Sequence, residues 1–137
     1  MKSRPASRRR GLGSTTVEFA LIMVIFLNFA VGAVEMMNLY SAWSTLQWAC
    51  DGAARQTMVA AGPTAAGAQS AAQTLASSIG YTTAAGANFT AAGPSACVSG
   101  GATQCITVRG SFVYTFKLST LGLASVTLQA QSIAPLI

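Results

Sequence analysis

Sixteen consecutive residues, Phe19 to Val34 (FALIMVIFLNFAVGAV), carry one polar side chain, Asn28, and follow closely on a basic segment. At about 1.5 Å per residue a helix of that length covers roughly 24 Å, short of the ~30 Å hydrocarbon layer. Met36, Met37 and Leu39 lengthen one face, so residues 14–39 read as a single membrane span. Asn28 has two uses open to it, a hydrogen bond to a neighbouring helix or one to its own backbone.

The charges fix how such a span would be oriented. Lys2, Arg4, Arg8, Arg9 and Arg10 precede residue 11, while the other cations, Arg55, Arg109 and Lys117, are balanced by Glu18, Glu35 and Asp51. A basic tail on a neutral body, placed just before an apolar run, is an orientation signal that keeps the N-terminus cytoplasmic, and it argues against nucleic-acid binding. Residues 1–13 (MKSRPASRRRGLG) show no apolar periodicity and read as a disordered leader. Charged residues make up 8% of the chain, against about 25% in ordinary soluble domains, which calls for a lipid or protein-packed setting.

Catalytic chemistry finds little to work with. The chain has no histidine, and its three acids are scattered, so neither a metal set, a cofactor site nor a carboxylate pair is legible. The reading is of a protein that is not an enzyme. Of three cysteines, Cys97 and Cys105 either close a short disulfide loop in an exported segment or remain two free thiols. Cys50 is left over, read as a small buried residue.

Beyond the span the helical spacing continues. Leu39, Trp43, Leu46, Cys50, Ala54 and Thr57 recur at intervals of three and four, so one helix is expected from about Thr15 to Ala61, ending at Gly62-Pro63, a rod of roughly 70 Å. Tyr40 is expected at the headgroup level, Trp43 packed against strands, and Glu35 solvated at the membrane boundary. Residues 63–80 suggest a short Ala-rich helix anchored by Leu75 and Ile79. Residues 81–104 give one weak strand around Ala87 to Thr90.

The period then changes to two. Ile106, Val108, Phe112, Tyr114 and Phe116 alternate with polar residues, and Gly110 marks either a bulge or a close backbone approach. After a turn-like Ser119 to Leu123, Val126 and Leu128 face one way and Thr127, Gln129 and Gln131 the other, so strands within 105–133 should pair as an antiparallel hairpin. The fold class is α+β: a long N-terminal transmembrane and amphipathic helix packed with a short second helix and a small antiparallel sheet.

The stretch Gly13-Ser14-Thr15-Thr16-Val17-Glu18-Phe19 joins leader to span. An acid at the entrance of a membrane helix is costly and demands a partner. Here the chain resembles type IV pilin precursors, in which a glycine, four residues, a glutamate and an aromatic precede the apolar helix. Within that superfamily GSTTVEFALIMVIFLNFAVGAVEMMNLYSAWSTLQWACDGAARQTMVAAG and the closing ITVRGSFVYTFKLSTLGLASVTLQAQSIAP are similar to the TadE-like minor pseudopilins of tight-adherence (Flp) pili.

The resemblance implies cleavage between Gly13 and Ser14 by a prepilin peptidase, and a role for Glu18 and Phe19 in subunit recruitment, with the new amine balancing the glutamate. It implies as partners other pilins or pseudopilins and the assembly platform of the bacterial inner membrane, with residues 40–137 exported. Met23-Val24 stands where the family commonly has proline, and Asp51 where it has arginine or glutamate; neither touches the processing signal. The rival reading is a signal-anchored or secreted small binding module without a filament role, which conventional signal peptidase would release by cutting near Val31-Gly32-Ala33.

Overall fold

The computed structural model describes residues 12–79, 86–97, 104–117 and 125–136. Its elements run α1 (Leu12–Val59), α2 (Ala65–Ser78), β1 (Asn88–Ala96), β2 (Gln104–Thr115) and β3 (Ser125–Leu136), an α+β chain of the expected class. The expected disorder of residues 1–11 and the turn at Ser119 to Leu123 lie outside the described residues. The chain divides into two compact units at Met36/Met37.

In the first unit, helix α1 begins at Leu12, three residues before the expected start, so Leu12 and Gly13 belong to the helix. The apolar side chains of its run stand open, Phe19, Ile22, Ile25 and Phe26 each more than 60% exposed. Asn28 donates from Nδ2 to the Val24 carbonyl at 2.8 Å, satisfying itself on its own backbone. Glu35 corrects the sequence reading: it is 7% exposed, not solvated. A carboxylate withdrawn from water needs a polar partner, and Glu35 does engage another group.

The second unit holds the rest of α1, helix α2 and the sheet. Here α1 buries Ala42, Leu46, Ala49, Cys50, Ala53, Ala54 and Thr57, one helical face. Trp43 is not on it. It stands 41% exposed, its ring 6.1 Å from that of Tyr40, because Ala42 occupies the packed position one residue before. The helix closes at Val59, with Ala60 N–H bonding the Thr57 carbonyl at 3.4 Å, ahead of the Gly62-Pro63 stop.

Helix α2 starts at an N-cap, Thr64, whose hydroxyl accepts from the Gly67 N–H at 3.1 Å, satisfying one of the donors a helix start leaves open. Its buried residues are Ala68, Ala72 and Ala76, spaced by four. These alanines bury most deeply; Leu75 also packs against the core, half-buried beside Gly52 of α1, whereas Ile79, expected as an anchor, is the exposed C-cap.

The three strands form one antiparallel sheet in the order β1-β2-β3. Strand β1 runs six residues beyond the weak strand expected at Ala87 to Thr90. It bulges between Ala92 and Ser95, around Gly93 and Pro94. Gly93 has φ +128, and a Cβ there would sit 2.5 Å from the Cys105 carbonyl oxygen, so glycine is required. β2 and β3 pair without interruption from Gln104↔Leu136 to Thr115↔Ser125. Phe89, Ile106, Val108, Tyr114, Leu128, Ala130 and Ala134 turn into the core with the helix alanines. Gly110 lies in unbroken register with Phe89 and Ala130, so it is a close approach and not a bulge. A Cβ on it would meet Leu46 Cδ1 at 2.9 Å, Phe89 Cε1 at 3.0 Å and Cys50 Sγ at 3.1 Å.

Candidate functional site

Two regions are candidates, the start of α1 and the open face of the sheet. Gly13 and Ser14 are the second and third residues of α1, and Glu18 lies four residues after Ser14. On a helix, residues four apart are neighbours on one face, so a group at Ser14 and the Glu18 carboxylate are placed within one turn. Glu18 is exposed and engages another group. Phe19, 63% exposed, opens the apolar run. Among the described residues α1 is the one helix long and apolar enough to cross a membrane, and none of its most apolar stretch is buried. Such a surface is unstable in water at roughly 25 cal/mol per Å²; a lipid or helical partner removes the cost. The helix fits a single-pass membrane anchor.

At the sheet, Cys97 and Cys105 are joined by a disulfide with Cα atoms 5.3 Å apart, tying the end of β1 to the start of β2. Cys50 is a free, buried thiol. Burial and the neighbouring Asp51 carboxylate push its pKa up to about 11, against a smaller lowering by the Gly110 backbone. It is held protonated and unreactive. Cys50 is thus the packing residue its helical position suggested.

The solvent face of the sheet carries a shallow cleft of about 400 Å³ lined by Thr90, Arg109, Ser111, Gln129 and Gln131, with Gln47 of α1 at its rim. Gln47 Nε2 donates to Asp51 Oδ1 at 3.1 Å and to the Gln131 carbonyl at 3.4 Å. No sequence signal picked out this cleft: its members come from α1 and all three strands, and only the register aligns Thr90, Arg109 and Gln131. It holds hydrogen-bonding groups but no nucleophile with an adjacent base.

Residues 13–55 match the model of a family described as TadE-like protein. The match covers just under a third of the chain. It begins at Gly13, takes in the whole apolar run, and ends at Arg55. No curated protein and no solved structure matches the chain.

Proposed function

We propose that this chain, TadE-like over residues 13–55, is a minor pseudopilin that takes part in assembling a tight-adherence pilus. One observation carries the reading: the family match starts at Gly13, at the head of a helix whose large apolar side chains from Phe19 to Phe29 lie open. In this account residues 1–13 are a cytoplasmic leader that a prepilin peptidase removes after Gly13. Residues 14–39 remain as the membrane helix, and residues 40–137 are the exported domain. The inner membrane holds the protein until assembly.

The chemistry follows from the first turn. Cleavage creates an ammonium on Ser14, one turn from the Glu18 carboxylate. A carboxylate near a helix N-terminus is favoured by the helix dipole, and an amine beside it, in the same chain or a neighbouring one, offsets the cost of holding the acid among lipid. Lipid gives apolar helices no hydrophobic reason to associate, so a polar pair of this kind together with close packing supplies the attraction. Phe19 extends the contact surface.

Glu18→Ala tests the role. In the native host, the variant should lose its leader as the wild type does while pilus assembly falls; unchanged piliation would remove Glu18 from the recruitment step.

A further inference from the structure

The two edges of the sheet are treated very differently. β1, the outer strand on one side, bulges between Ala92 and Ser95 and contains Pro94, which has no N–H to donate. Both devices blunt an edge against further pairing. β3, the outer strand on the other side among the described residues, has neither bulge nor charge. All twelve of its residues pair with β2 in continuous register, and its one proline, Pro135, is next to last. A long, regular, uncharged edge is a template for strand addition.

We propose that β3 pairs with β3 of a second copy of this chain, making one continuous six-stranded sheet from two exported domains. Three features of the strand select a second copy. The strand it needs as partner is one with an edge left unpaired by other strands, and among the described residues β3 is the regular strand that has one. SVTLQAQSIAPL carries no charge, so self-pairing sets no like charges opposite each other. Finally, blunt β1 edges at both outer ends stop growth at two copies, the closed two-fold arrangement and not an open fibre. One backbone carbonyl of β3, that of Gln131, accepts from Gln47 at 3.4 Å. That contact is long for a hydrogen bond and is readily exchanged for a strand N–H. With the two-fold axis at Leu128, the exposed Thr127 of each copy stands opposite Gln129 of the other, and the membrane anchors would hold two copies at high local concentration.

The test uses the full chain in detergent micelles or bilayer discs. A Thr127→Lys, Gln129→Lys variant and a Thr127→Glu, Gln129→Glu variant alter only exposed positions, and far-UV circular dichroism checks that each keeps its fold. The wild type should be dimeric, and each variant alone should dimerise about tenfold more weakly because like charges face across the junction. Mixing the two should restore the dimer, and a carbodiimide should couple Lys to Glu between β3 peptides identified by mass spectrometry. A monomeric wild type, an undiminished dimer in the Lys variant, or no β3-to-β3 cross-link in the mixture would each overturn the proposal. The mixed cross-link also separates strand pairing from association through the membrane helices.

Discussion

Gly110→Ala is a small change at the tightest point of the exported domain. The added methyl would lie 2.9 Å from Leu46 Cδ1, 3.0 Å from Phe89 Cε1 and 3.1 Å from Cys50 Sγ. Those residues are 2%, 3% and 0% exposed, so none can swing into solvent. Overpacking of this kind costs typically 1–3 kcal/mol, while replacing glycine by alanine within an element returns roughly 0.5–1 kcal/mol. The net is a destabilisation of about 1–2 kcal/mol, which for a domain of this size lowers Tm by roughly 4–16 °C. Near-UV circular dichroism of the full chain in micelles would follow the transition.

A double-mutant cycle isolates the cause. Leu46→Ala alone should cost about 2–5 kcal/mol through the cavity it leaves. With Leu46 shortened, the Gly110 methyl gains room on that side, and the cost of Gly110→Ala should shrink or change sign. A Gly110→Ala protein as stable as wild type, or a cycle with no coupling, would refute the claim that α1 and β2 meet at this glycine.

Two further outcomes follow from the sulfur chemistry. Cys97→Ser should lower the urea midpoint of the domain by the equivalent of about 2–3 kcal/mol, the entropic worth of a short closed loop, and reductant should reproduce the loss in the wild type but not in the variant. The Cys50 thiol, with its pKa raised from 9.0 to about 11, should resist alkylation at pH 8 until the chain unfolds. Because the folded state holds that proton more tightly than the unfolded state, its contribution is full below pH 9 and is lost as pH rises towards 11; a flat stability profile across that window in wild type, matching Cys50→Ala, would contradict it.

Patterns of spacing made the main elements legible. Period-four recurrence located the α1 face and period-two alternation located β2 and β3, because burial on one side writes itself into the sequence. What escaped was set by close approach. Ala42 and Trp43 are adjacent apolar residues, and spacing alone does not say which faces inward; Ala42, four residues before the buried Leu46, is the one that does. Size likewise suggested Leu75 and Ile79 as anchors of α2; Leu75 does pack against the core, but the most buried positions are Ala68, Ala72 and Ala76, and Ile79 stands at the exposed end. Strand β1 was half hidden, since NFTAAGPSA lacks strong strand formers after Thr90 and is held by pairing with β2. Glu35 looked like a boundary charge because its place at the end of the apolar run says nothing of its burial. At the start of α1, the apolar helix was legible from a basic segment before and an apolar run after. The cleft around Arg109 was not, because its residues meet only across strands.

The mature N-terminus tests the central claim most directly. Mass spectrometry of membrane-fraction protein, from cells with and without the prepilin peptidase, should find a chain beginning at Ser14 when the peptidase is present and the leader retained when it is absent. A start near residue 33 or 34 would mean that the apolar run is a discarded signal, and an intact Met1 in both strains would mean a plain membrane anchor; either would contradict the pilin account.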